Sequence, residues 1–120
     1  MRVKDYLANT AEKDVKATVL AYLKMRGFRA WNNPRGVAKM TNGGAFVRYG
    51  GPPGCSDIIG FMPPNGRFIA VETKAAKNSR TAAAQQEFID MVREGGGIGV
   101  IAKSVEDVIN AIQAERYEGM

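Results

Sequence analysis

The chain contains no histidine and a single cysteine, Cys55, among its 120 residues. Zinc fingers, HExxH metalloproteases, Ser–His–Asp and Cys–His hydrolases and histidine-based nucleases are thereby excluded, because each needs an imidazole or several thiolates. No disulfide can close within the chain, and one cysteine fits a reducing compartment. No apolar run approaches the ~18 residues that a membrane-spanning helix needs. The N-terminal segment carries no apolar stretch of the secretory type, so it reads as part of a cytoplasmic protein. Acidic residues are missing as well between Asp14 and Asp57, a stretch that holds Lys16, Lys24, Arg26, Arg29, Arg35, Lys39 and Arg48.

What remains is an ordinary globular composition, 45% hydrophobic and 24% charged, of a size for one domain over residues 1–120. The net charge is +5. An acid-free basic block suits a polyanion, most often nucleic acid, although a solvated basic face has the same composition. Without imidazole, any chemistry must rest on carboxylates, lysines, arginines, amides and a metal that prefers oxygen.

Periodicity divides the chain into alternating helices and strands. Val15, Val19, Tyr22 and Leu23 form one apolar stripe, which predicts a helix over 10–26. Asn9 and Glu12 have capping-box spacing at its start, and Gly27 suits its end. Residues 28–31 read as a short strand, 32–44 as a loop rich in turn formers, and 45–49 as a strand. Two strands over 57–62 and 67–75 are joined by Pro63, Pro64, Asn65 and Gly66, a hairpin signal. A helix over 81–94, an apolar strand over 98–103 and a last helix opened by a second capping box, Ser104 with Asp107, complete the order. The expected fold is α/β, a mixed central sheet of about four strands flanked by helices.

The hairpin carries the chemistry. Alternation places Phe68, Ala70, Glu72 and Lys74 on one face of its second strand, and Asp57, Ile59 and Phe61 on one face of its first. A four-residue turn sets Asp57 opposite Glu72, and a two-residue turn sets it opposite Lys74. In both registers the three side chains share a face of adjacent strands. Adjacent carboxylates repel, and a divalent cation between them resolves the conflict. Oxygen ligands select Mg²⁺ or Mn²⁺. Taken alone, Glu72-Thr73-Lys74 is a weak signal that reads first as a surface ion pair on a strand, but the apolar run Phe68, Ile69, Ala70, Val71 marks a buried strand end.

Asp57 followed by Glu72-x-Lys74 resembles the PD-(D/E)xK nuclease superfamily. The flanking order is similar to its VRR-NUC (virus-type replication-repair nuclease) family: an early helix with Glu12, Gly54-Cys55-Ser56-Asp57-Ile58-Ile59-Gly60-Phe61, then Phe68 to Lys74, then Gln85 ahead of Phe88. Ser56 departs from the proline that many superfamily members carry there. The resemblance implies a restriction-endonuclease-like αβββαβα fold and Mg²⁺- or Mn²⁺-dependent hydrolysis of DNA. It implies that Asp57, Glu72 and the Thr73 carbonyl hold metal. Lys74 positions water and stabilises charge, and Glu12 and Gln85 complete the catalytic set, with Gln86 an alternative to Gln85. Free-standing bacterial and phage members imply a homodimer that resolves branched DNA such as four-way junctions. Lys16, Arg35, Lys39 and Arg48 are the expected DNA contacts, and residues 37–49 the expected dimer interface. A non-catalytic nucleic-acid-binding module, a flap- or end-processing nuclease and a small interaction protein are the competing readings.

Overall fold

The computed structural model describes residues 12–41, 43–74 and 81–118, with the backbone alone at 12–13 and 116–118. Chain order is α1 (Glu12–Met25), β1 (Arg29–Asn32), β2 (Gly36–Lys39), β3 (Phe46–Tyr49), β4 (Ile58–Met62), β5 (Arg67–Thr73), α2 (Ala83–Glu94), β6 (Ile98–Ala102) and α3 (Val105–Glu118). The central sheet runs β1-β4-β5-β6, and β2 and β3 form a separate two-stranded sheet. Without that inserted hairpin, the order is αβββαβα, the restriction-endonuclease-like arrangement. The first three sheet strands pair antiparallel, and β6 joins β5 in parallel after the α2 crossover.

The sheet is buried on both faces, which explains the unbroken apolar run of β5. On one face, Ile58, Ile69, Val71 and Val100 meet Val15, Val19 and Leu23 of α1 and Val105, Val108 and Ile112 of α3. This is the larger core, and each fully buried aliphatic in it contributes about 1.5–3 kcal/mol. On the other face, Ala70 packs with Phe88, Ile89 and Val92 of α2, with Ile59 and Ile101 beside them. Gly27, at φ +94°, reverses the chain after α1, and Phe28 N–H bonds back to the Leu23 carbonyl. This is the glycine stop that the sequence calls for.

Two expectations need adjustment, and a choice between two registers is decided. Residues 32–44 are not one loop: Gly36–Lys39 pairs antiparallel with Phe46–Tyr49. The turn-forming residues that obscure this strand flank it. In α3, the Asp107 carboxylate accepts the Lys103 N–H rather than closing a reciprocal box with Ser104. The β4–β5 register is the four-residue-turn alternative, with Ile58 opposite Val71, so Asp57 continues opposite Glu72. The cap assigned to Asn9 lies outside the described residues.

Candidate active site

Glu72 is the more deeply buried of the two acids at the site. It sits at the end of β5, only 1% exposed, on the face that α2 covers. Asp57 enters from the turn ahead of β4 and is 8% exposed. Its Oδ2 accepts both the Thr73 N–H and the Thr73 hydroxyl, each at 3.0 Å. The neighbouring strand therefore fixes the carboxylate by two bonds from one residue.

Backbone fit brings the other elements in. Gly54 has φ +82°, and a Cβ there would lie 2.0 Å from the Ala84 carbonyl oxygen. The Asp57 loop is thus pressed against the first turn of α2. That turn carries Gln85, whose Oε1 accepts the Ala82 N–H at 3.1 Å and the Lys74 ammonium at 2.7 Å. Gln85 Nε2 donates to Glu72 Oε1 at 2.9 Å, and Lys74 Nζ lies 3.8 Å from the same oxygen. Gln86 faces away and bonds Asp90. Of the two neighbouring glutamines, it is Gln85 that reaches the carboxylates.

Arg35 enters the same centre. Its Nη2 lies 3.1 Å from Asp57 Oδ1 and 3.3 Å from Glu72 Oε1, so the guanidinium bridges the two acids. Glu72 Oε2 is buried without a partner, as is the Ser56 hydroxyl. Burial raises the Glu72 carboxyl, and the Asp57 charge raises it further. Arg35 and Lys74 offset part of this, leaving it at about 7. For Asp57, burial works upward, but the Thr73 bonds and the Lys16 charge prevail and hold it below its usual value. The two acids thus differ in proton affinity, Asp57 ionising first. Burial also raises the Cys55 thiol, so this residue is no thiolate nucleophile.

A cleft of about 530 Å³ opens from this centre, lined by Lys16, Arg35, Arg48, Tyr49 and Asp57 among others. Three of the four expected DNA contacts meet there. Lys39, further along β2, is exposed and does not line it. Glu12 opens α1 one turn before Lys16, and its side chain lies outside the described residues.

Asn33 is the residue that sequence reading missed. Its backbone N–H donates to the Asp57 carbonyl, and its Nδ2 lies within hydrogen-bond reach of the Gly50 and Ser56 carbonyls and of Cys55 Sγ. It ties together the turns that carry Arg35 and Asp57. An asparagine among turn formers gives no sequence signal for such a role.

The VRR-NUC domain profile matches residues 40–106. The chain belongs to the VRR-NUC family. Membership implies nuclease activity of the PD-(D/E)xK type, and the matched segment spans Asp57, Glu72, Thr73, Lys74 and Gln85. It leaves out α1 and the turn with Asn33 and Arg35. No curated protein matches the chain significantly.

The donor set fits a hard divalent cation. Two carboxylates face one another, one with an unpartnered buried oxygen. Among the described residues no third acid, histidine or cysteine joins them. Mg²⁺ suits such a sparse site because it keeps several waters and takes one or two carboxylates plus substrate phosphate.

Proposed function

We propose that this VRR-NUC protein is a Mg²⁺- or Mn²⁺-dependent endonuclease of branched DNA that acts as a homodimer. The observation that carries the reading is the convergence of Asp57, Glu72 and Lys74 at the end of one β-hairpin, beneath the first turn of α2. Asp57, Glu72 and the Thr73 carbonyl would hold the ion. The bound ion supplies polarisation of the scissile phosphate and a water of lowered pKa. Thr73 keeps Asp57 ionised and oriented. Gln85 holds the Lys74 ammonium beside the carboxylates, where it positions the attacking water and stabilises charge that develops on the phosphate. No side chain forms a covalent intermediate, and the histidine-free sequence leaves the remaining proton handling to Lys74 and water.

Lys16 and Arg48 in the cleft suit phosphate contacts. The β2–β3 register divides the hairpin chemically. Residues directly opposite share a face, so Val37, Lys39, Phe46 and Arg48 lie on one side and Gly36, Ala38, Val47 and Tyr49 on the other. The first side carries both cations and suits DNA. Both sides expose apolar residues, Val37 and Phe46 on the first and Val47 and Tyr49 on the second, but the second is uncharged and suits a second copy of the chain. Two-fold related sites match the two symmetric cuts that a four-way junction requires, and C2 is the commonest closed symmetry.

Sedimentation of the purified chain, together with cleavage of a labelled four-way junction, tests these finer points. The expected result is a dimer that makes paired symmetric nicks. A 13.0 kDa monomer that cleaves flaps and leaves junctions intact would replace resolution by flap processing.

A further inference from the structure

Arg35 lies between the two carboxylates proposed to hold the cation. Its guanidinium touches both carboxylates, but through a single nitrogen, Nη2, at 3.1 and 3.3 Å. Arginine pairs most strongly with a carboxylate side-on, through two nitrogens. Here the contact is end-on and divided between two acids, an arrangement that a compact cation can replace.

The root of Arg35 is packed against its neighbours, while its guanidinium reaches the open cleft. A Cβ at Gly50 would lie 2.6 Å from the Pro34 carbonyl and 2.7 Å from Arg35 Cα, so the two turns are in close contact. Asn33 bonds the Gly50 carbonyl and secures the same junction. The Arg35 side chain is 29% exposed and lines the open cleft beside Lys16 and Arg48. The guanidinium thus sits where the acids meet the open cleft.

We propose that Arg35 is an internal counterion in exchange with the metal. In the metal-free protein it bridges Asp57 and Glu72 and offsets the repulsion between them. When a divalent cation binds the two acids, Arg35 gives up the bridge and takes a phosphate oxygen of the DNA in the cleft. The proposal rests on the metal-dependent nuclease reading above. It assigns one residue opposite effects on the two ligands: Arg35 weakens metal binding and strengthens DNA binding.

The test is calorimetric titration of Mn²⁺ into the purified 120-residue chain without DNA, for wild type, Arg35→Ala and Arg35→Gln. Mn²⁺ is chosen because nitrogen- and oxygen-ligand sites hold it at least as tightly as Mg²⁺. Removing the competing hydrogen-bonded charge should tighten Mn²⁺ binding by on the order of tenfold in both variants. Arg35→Lys keeps a charge and should lie between them and wild type. Duplex binding in Ca²⁺ should weaken several-fold in Arg35→Ala. If a variant is too unstable for titration, the Mn²⁺-induced rise in melting temperature reads the same exchange, and it should exceed that of wild type. Mn²⁺ affinity equal to or below wild type in Arg35→Ala and Arg35→Gln, with wild-type cleavage intact, would overturn the exchange alone. Failure of all four proteins to bind Mn²⁺, with no cleavage by wild type, would overturn both the exchange and the nuclease reading.

Discussion

Replacing Glu72 by glutamine should make the metal-free protein more stable at neutral and alkaline pH, even as it removes a proposed metal ligand. Burial and the Asp57 charge lift the Glu72 carboxyl from 4.5 to about 7 in the folded chain. That lift corresponds to about 3 kcal/mol of differential interaction between its two protonation states. The direction follows from linkage. Below the unfolded value Glu72 is protonated in both states and costs nothing. As pH rises, the unfolded chain ionises first, and folding must then hold a proton or bury a charge. Stability is therefore lost progressively between about pH 4.5 and 7. Glutamine keeps the volume and has no proton to lose. The two proteins should be almost equally stable near pH 4 and differ by about 3 kcal/mol at pH 8, with the variant higher. For a chain of this size that is roughly 10 °C in melting temperature. Melts of both proteins in EDTA from pH 4 to 8.5 provide the comparison, and subtraction removes titrations common to both, including that of Asp57. A difference that is flat with pH, or a variant less stable than wild type at pH 8, would refute the argument from burial and charge.

Lys74→Ala should slow cleavage by about 10²–10³, the usual worth of one charge-stabilising group, while DNA affinity in Ca²⁺ stays near wild type. Parallel loss of binding would make Lys74 a phosphate anchor instead. Gln85→Ala should lower the single-turnover rate by roughly tenfold, because it frees the Lys74 ammonium and removes a donor from Glu72. Gln86→Ala should leave the rate unchanged, and equal losses in both would remove the positioning role. Gly54→Val should destabilise the fold by about 1–3 kcal/mol in denaturant titration, because it combines a positive φ with a contact against the Ala84 carbonyl. Wild-type stability would show that the loop is not pressed onto α2.

The sequence carries most of the central architecture because that part is periodic. The stripe of Val15, Val19 and Leu23 and the apolar run of β5 each have a repeat that only one element satisfies. The Pro63–Gly66 turn leaves two registers, and both put Asp57, Glu72 and Lys74 on one face, so their convergence was legible before the register was. Of the β2–β3 hairpin only β3 is legible, as the strand expected over 45–49. The hairpin's strands are only four residues long, and β3 is fully exposed. Without a buried face there is no alternation, and Gly36–Lys39 resembles its turn-rich flanks. The positions of Asn33 and Arg35 depend on that turn folding back over Asp57. Sequence places Arg35 in a basic block, but only tertiary contact shows it bridging the acids. Choosing between Gln85 and Gln86 likewise required the helix phase relative to β5, which one residue of uncertainty at the helix start obscures.

The central claim is that Asp57 and Glu72 form the metal centre of a nuclease, and one experiment tests it most directly. Labelled duplex, flap, fork and four-way junction are incubated with the wild-type chain in Mg²⁺, in Mn²⁺ and in EDTA, alongside folded Asp57→Asn. The account predicts cleavage by wild type in either metal, with branched DNA preferred. It predicts no cleavage in EDTA, and none by Asp57→Asn in either metal. Cleavage by Asp57→Asn at the wild-type rate, or equal cleavage with and without EDTA, would contradict it.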